Sequence, residues 1–291
     1  MLRTSAIAST KKSCSRVTVV SGSQAEMTAI VLAGQRDGED ELAQHAGATC
    51  KALVEIGGRP MLSRVLDTLQ STPAVAKIVL CGPDEDKLAD QRDLRKRIES
   101  GNVSWLPPQA GPSASAYSAM CTLPADAQVL LTTADHPLLT VEIVSDFCRR
   151  SMATDADVVI GMAPYALVRD EFPTMKKTVL RFSDGELCGC NLFAFLTPKG
   201  REAANFWRGL ESQRKKPLRI LRFLGGLTVA KYLLGTLTIE DALQTFTAKL
   251  GIKVRVAILP FGDAAVDVDS VSDYQLVQEK FLRRTAAAAQ P

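Results

Sequence analysis

Arg36 and Lys51 are the first side chains in this sequence whose surroundings suggest chemistry. They follow an apolar run, Ala29 to Ala33, that breaks at Gly34 into a loop carrying Gly38. Lys51 then leads into a second apolar run ending at Ile56 and the turn Gly57-Gly58-Arg59-Pro60. The first run reads as a buried strand of a parallel sheet. Where a strand ends in glycine, backbone N–H groups can approach an anion with no side chain in the way, and neighbouring cations neutralise it. Leu32-Ala33-Gly34, Arg36, Gly38 and Lys51 are therefore a candidate polyphosphate cradle. Glycine after a first strand also serves packing in open α/β sheets, so this pattern needs company to carry meaning.

Two acidic blocks supply that company. Gln128 to Leu139 reads QVLLTTADHPLL, an apolar strand ending at Asp135, followed by His136 and Pro137. Ala265 to Tyr274 reads AVDVDSVSDY. If Val266 to Asp269 is extended, Asp267 and Asp269 point to one side and Val266 and Val268 to the core, because strand side chains alternate with period two. Nothing in the residues themselves ranks Asp267 against Asp269.

The elements that must position these groups alternate in type. Strand-like runs fall at Ala29–Leu32, Lys77–Cys81, Val103–Leu106, Val129–Thr132, Asp157–Gly161, Val179–Phe182 and Val254–Leu259. Helical patterns lie between them at Met61–Leu69, Asp84–Ile98, Ala114–Met120 and Val141–Arg150. This alternation predicts an α/β domain, a mostly parallel sheet with helices on both faces. Ligands of such sheets bind beyond the carboxyl ends of the strands, where Gly34, Gly82, Asp135 and Gly161 stand. The loop Pro107 to Ser113, with Gly111, precedes a helix that Ser113 or Ser115 could cap. Thr238 is expected to cap a later helix, with Asp241 at the position of a capping-box partner. Arg169, Lys176, Lys177 and Arg181 gather around an expected turn at Ser183-Asp184-Gly185, as a solvated hairpin or a pocket for a phosphate. Asn191 follows on a strand, where it could bond a ligand or local backbone. In Glu211 to Leu250, Arg214, Lys215, Lys216, Arg219 and Arg222 lead into a glycine-interrupted apolar stretch. It reads as a helical insertion covering the sheet edge or making a dimer contact, with a basic membrane-facing surface over 214–237 as the sharper alternative.

Taken together, the three blocks resemble the nucleotidyltransferases of the MobA-like, sugar-nucleotide pyrophosphorylase type. That family opens with L-x-G-G-x-x-x-R-x-G, a Lys and a G-x-P-[LM]-[LIV] turn; this chain has Leu32-Ala33-Gly34, Arg36, Gly38, Lys51 and Gly58-Arg59-Pro60-Met61-Leu62. The Asp135 strand end and the AVDVDSVSDY block follow in the expected order, over about 27–284. The chain departs in a long Arg36-to-Lys51 interval, Cys50 before the Lys, and Ser270-Val271-Ser272 in the closing block. The resemblance implies a three-layer α/β/α, Rossmann-like GT-A fold with a mostly parallel, mixed sheet and a helical insertion near 205–250. It implies Mg²⁺ on Asp135 and Asp269, with Asp267 as the alternative second ligand, and catalysis by Arg36, Lys51 and Asp135. Nucleotide contacts would come from Leu32, Ala33, Gly34, Arg36, Gly38, Lys51, Gly82, Gly111, Ser113 and Ser115. Acceptor contacts would come from Arg169, Lys176, Lys177, Arg181 and Asn191. The implied reaction moves a nucleoside monophosphate from an NTP, CTP ahead of GTP, to a phosphorylated small molecule or lipid head group, releasing pyrophosphate. A glycosyltransferase of the same fold is the nearest rival, but Asp135-His136-Pro137 lacks the second Asp of its D-x-D. A non-catalytic nucleotide-binding module would have no need of the metal carboxylates.

Composition bounds the rest. A chain of 291 residues can bury a substantial core. The net charge of +3 resides in residues 1–26, which hold Arg3, Lys11, Lys12 and Arg16 against Glu26, leaving the remainder formally neutral. A neutral body lacks the basic footprint of a nucleic-acid-binding protein. Residues 1–26 read as a disordered leader and 285–291 as a disordered tail, flanking one nucleotidyltransferase domain. With no sustained apolar run in the leader and seven irregularly spaced cysteines, a cytoplasmic, reducing location and no transmembrane segment are expected. Cys188-Gly189-Cys190 has no second cysteine pair or nearby His and does not read as a zinc site. A homodimer is expected from the apolar insertion.

Overall fold

Strand β1 (Met27–Leu32) divides its side chains between two faces. Met27, Ala29 and Val31 join one apolar cluster and Ile30 another, so a strand buried on both sides needs a near-continuous apolar run, as the sequence has. The computed structural model describes residues 26–35, 38, 40–211 and 225–288. Arg36, the expected leader up to residue 25, the basic stretch 214–224 and the last three residues lie outside the described residues.

The central sheet adds β4 (Val75–Cys81), β5 (Ser104–Leu106), β6 (Val129–Thr133), β7 (Val158–Pro164), β8 (Val179–Phe182), β9 (Gly185–Phe195) and β10 (Val254–Ile258). Its order is β10-β7-β9-β6-β1-β4-β5, with β8 on β9. β1 pairs in parallel with β4 and β6, β4 with β5, and β7 with β10. The long β9 lies antiparallel between β6 and β7, which makes the sheet mixed. A separate two-stranded hairpin, β2 (Glu55–Ile56) and β3 (Arg59–Pro60), turns through Gly57 and Gly58. Both glycines have positive φ, 56° and 71°, the backbone a two-residue hairpin turn of matching twist requires.

Helices cover both faces. On one side α2 (Met61–Gln70) and α6 (Val141–Met152) bury Leu62, Leu66, Ile143 and Phe147 against the sheet. On the other, α5 (Pro112–Cys121), α8 (Pro198–Glu211) and α10 (Ile239–Leu250) contribute Ala116, Met120, Ala204 and Leu243. The expected α/β/α layering is present. Within the segment read as an insertion, α8 and α10 thus help to cover a sheet face. The intervening α9 (Gly226–Leu233) leaves Leu227 and Leu233 exposed. Among the described residues no helix is long and apolar enough to cross a membrane.

Three local expectations are corrected. The helix expected over Asp84–Ile98 is two, α3 (Glu85–Leu88) and α4 (Arg92–Glu99). Their buried anchors, Leu88 and Leu94, are six residues apart, about 120° around a continuous helix, so a break lets both reach one core. Neither serine caps α5: its N-cap is Gly111 with Pro112 at the first helical position, and the Ser115 hydroxyl instead accepts from Gln109 N at 2.9 Å. Thr238 does cap α10, accepting from Asp241 N at 3.1 Å, but the Asp241 carboxylate pairs with Lys231 at 2.9 Å. A charged partner on the neighbouring helix outcompetes the box.

Candidate active site

The floor of the site is built where β1, β4 and β5 end together. Ala33 N donates to Cys81 O and Gly82 N to Leu106 O, at 2.8 and 2.9 Å. Gly82 has φ +80°, and a Cβ there would sit 2.9 Å from Gly34 N. A Cβ on Gly34 would lie 3.1 Å from that of Pro108. The glycines allow three backbones to close on one another, the close approach for which strand-end glycines are suited. Gln35 is held by Lys87 of α3, whose Nζ donates to Gln35 Oε1 at 3.1 Å. Lys87 also exerts a field on Cys50, the residue before Lys51, although burial dominates and pushes that thiol up. This second cation beside the glycine loop was missed from sequence. Its only signal is its place one turn into the helix that follows Gly82.

The chemistry converges one strand away. Asp135 follows β6, whose end is tied to β1 by Ala134 N donating to Leu32 O at 2.9 Å. Lys51 opens a short 3-10 turn (Lys51–Leu53) anchored by buried Ala52 and Leu53. Its Nζ donates to Asp135 Oδ2 at 2.6 Å and also to Asp269. Thr133 Oγ1 donates to the other Asp135 oxygen at 2.6 Å. Asp269 is held in place by its neighbours. Val266 and Val268 are fully buried, Val268 N donates to Asp135 O at 3.0 Å, and Asp267 and Asp269, alternating with the valines, reach Lys177 and Lys51. Ser270 and Asp273 form a reciprocal capping box at the start of α11 (Val271–Ala288): Ser270 N donates to Asp273 Oδ2 at 3.0 Å and Asp273 N to Ser270 Oγ at 3.2 Å. The closing block is thus an extended segment fixed to Asp135 at one end and capped onto a helix at the other.

A second group abuts the first. Lys177 pairs with Asp267, and Asn191 Nδ2 donates to Asp267 Oδ2 at 3.2 Å while lying 3.2 Å from His136 Nε2. Asn191 owes this aim to a bulge. The β7–β9 register shifts between Ile160 and Met162, and Asn191 has φ +48°, a left-handed conformation that Asn tolerates better than most residues. Gly161 lies opposite, where a Cβ would come within 3.0 Å of that of Leu192.

The electrostatics follow from charge pairing at the edge of the core. Burial would raise Asp135, but Lys51 and His136 outweigh it and hold the carboxyl below its usual range. Burial would lower Lys51, and Asp135 and Asp269 more than reverse that. Asp267 is likewise held down against burial, by His136 and Lys177. His136 is 1% exposed, its Nδ1 lacks a hydrogen-bond partner among the described residues, and burial pushes its pKa down despite Asp135 and Asp267. Two oxygen-bearing carboxylates converging on one cation suit Mg²⁺, which takes one or two protein carboxylates and leaves its other positions to water and phosphate. Asp135 and Asp269 would fit the ion as a two-carboxylate donor set completed by water and phosphate, since among the described residues no group of three or more His, Cys, Asp and Glu side chains could hold a metal by itself.

Of the residues expected from sequence, Lys51, Asp135, Asp267, Asp269, Lys177 and Asn191 meet here. Gly34 and Gly82 form the adjoining floor, at the end of the strand that carries Leu32 and Ala33. Gly111 and Ser115 shape the neighbouring loop, and Ser113 lies in the first turn of α5. Arg169 pairs with Asp170 at 3.6 Å, and Arg181 with Glu186 across the β8–β9 hairpin at 2.9 Å, so these two cations have partners apart from Lys177. Lys176 is exposed.

Residues 29–167 match the family model described as the MobA-like NTP transferase domain. Among solved structures, a hypothetical transferase from Thermus thermophilus is similar at 29% identity and TM-score 0.72, over 86% of this chain and 99% of that one. A 4-diphosphocytidyl-2C-methyl-D-erythritol synthase from Anaerococcus prevotii is similar at 14% identity and TM-score 0.51, over 89% of this chain and 100% of that one. A CMP:2-keto-3-deoxy-manno-octonic acid synthetase complexed with CTP gives 14% and 0.53, over the same 89% and 100%. At that identity the last two show the fold. A search of curated proteins found no match. Gly34, Lys51 and Asp135 fall inside the matched region, whereas Lys177, Asn191, Asp267 and Asp269 reach the site from beyond it.

Proposed function

We propose that this chain, which carries a MobA-like NTP transferase domain over residues 29–167, is a Mg²⁺-dependent nucleotidyltransferase. It moves a nucleoside monophosphate from an NTP, CTP ahead of GTP, to a phosphorylated small molecule or lipid head group. The observation that carries this reading is Lys51 held between Asp135 and Asp269 beside the glycine floor. A cation able to neutralise phosphate beside two hard-oxygen ligands is what a polyphosphate and a metal sharing one site would need.

An acceptor phosphate oxygen attacks the α-phosphorus, a P–O bond forms, the bond to the β-phosphate oxygen breaks, and pyrophosphate leaves with that electron pair. The second pKa of a phosphate monoester is about 6, so the nucleophile is largely ionised at neutral pH and needs no strong protein base. His136, buried and pushed toward the neutral form, need not supply one. Catalysis then rests on positioning and charge. Lys51, with Arg36, neutralises charge on the α-phosphate and departing pyrophosphate. Lys177, oriented by Asp267, and Asn191, aimed by its bulge, hold the acceptor phosphate. Asp135 and Asp269 would hold Mg²⁺, which supplies a Lewis-acidic positive charge for phosphate oxygens.

A thermal-shift panel of CTP, GTP, ATP and UTP, each with and without Mg²⁺, tests this directly. A ligand that binds only the native state raises the melting temperature by mass action. Strong stabilisation by one NTP, larger with Mg²⁺, followed by pyrophosphate release in an acceptor screen, is the expected result. No shift with any NTP on a folded sample would overturn the reading.

A further inference from the structure

The two carboxylates assigned to Mg²⁺ already share a cation. Lys51 Nζ pairs with Asp135 at 2.6 Å and with Asp269 in the same contact. Asp267, the third carboxylate nearby, pairs with Lys177 and accepts from Asn191. Among the described residues, no group of three or more His, Cys, Asp and Glu side chains that could hold a metal exists, here or elsewhere, so the protein alone gives a divalent ion only these two carboxylates. A divalent ion entering between Asp135 and Asp269 therefore meets an ammonium at contact distance, and like charges that close repel, even with Asp269 open to water. Lysine is a compact charge on a flexible stem, able to leave one anion for another without rebuilding the backbone. A triphosphate laid on the adjoining glycine floor offers it a denser negative charge.

We infer that Lys51 is a resident counter-ion that keeps free divalent metal out of the Asp135–Asp269 pair until a triphosphate draws its ammonium away. Metal then enters with the nucleotide or after it, never alone. One lysine thus performs two tasks in sequence, holding the empty carboxylates together and then neutralising phosphate. The inference rests on the nucleotidyltransferase reading of this site.

The test follows bound Mn²⁺ by electron paramagnetic resonance on the full-length chain, without turnover. Wild type is expected to bind Mn²⁺ at the protein only when CTP or GTP is present. Lys51→Met should bind Mn²⁺ without nucleotide at least tenfold more tightly than wild type, and adding Asp135→Asn should abolish that binding. Lys51→Gln, which keeps a polar side chain between the carboxylates, serves if the methionine variant folds poorly, and should also gain Mn²⁺ affinity. Nucleotide-free wild type binding Mn²⁺ as tightly as the Lys51 variants would overturn the inference while leaving the transferase reading intact. Failure of every protein to bind Mn²⁺ with any NTP, together with no NTP-induced thermal shift, would overturn both.

Discussion

Asp135→Asn separates what the carboxylate does for the fold from what it does for chemistry. At 2.6 Å the Lys51–Asp135 attraction is about 6 kcal/mol at an effective dielectric constant of about 20, before desolvation is subtracted. Removing one partner of a fully buried pair costs about 3–5 kcal/mol. Here the side chains are 22% and 20% exposed, and Lys51 keeps Asp269, so the net loss should be nearer 1–2 kcal/mol, on the order of an exposed-to-buried compromise. For a chain of this size that lowers the melting temperature by about 2–8 °C. The effect on chemistry should be far larger. On the metal-ligand role proposed for Asp135, its loss forfeits several kcal/mol of transition-state stabilisation, and about 4 kcal/mol is a thousandfold in rate. The assay is pyrophosphate release with the NTP and acceptor chosen by screening, beside a melting curve and far-UV circular dichroism. A folded variant, a few degrees less stable and at least about 1000-fold slower, is expected. A folded Asp135→Asn protein that keeps turnover within tenfold of wild type in Mg²⁺ would refute the site.

Three further outcomes test separate parts of the structure. Lys87→Ala removes the donor that tethers Gln35 to α3, so NTP affinity should fall about tenfold, the worth of a charge-assisted hydrogen bond, with the melting temperature nearly unchanged; equal affinity by calorimetry would remove Lys87 from the site. Gly82→Ala places a Cβ 2.9 Å from Gly34 N at φ +80°, and should cost about 2 kcal/mol or more in urea unfolding while weakening NTP binding; a neutral substitution would show that the floor yields. Asp146 of α6 is held below its ordinary pKa against burial by Arg150 and Arg149. Its folded pKa is depressed, so its stabilisation is present above the unfolded value of about 3.9 and is lost as pH falls through the folded value. Asp146→Asn should therefore be less stable than wild type at pH 6 and converge with it in strong acid; parallel stability curves across that range would contradict the pairing.

Much of this protein is legible along the chain because local patterns report local geometry. The apolar run at Ala29, the Gly57-Gly58 turn, the Thr238 cap and the strand ending at Asp135 are each determined by neighbours within a few residues. The period-two alternation of Val266, Asp267, Val268 and Asp269 even states which side chains share a face. Periodicity names a face and never a partner. That Lys51 meets Asp269, 218 positions away, and Lys177 meets Asp267, 90 away, was decided by the sheet order. The sheet placed β9 antiparallel between two parallel segments, an arrangement for which hydrophobic pattern carries no sign of direction. The bulge that turns Asn191 toward His136 arises from a register mismatch with β7, a property of two strands together. Arg169, Lys177 and Arg181 look alike in a charged stretch. Only tertiary packing set Lys177 against a carboxylate at the site and left Arg181 to pair across its own hairpin, because a long cationic side chain takes whichever anion the fold brings within reach.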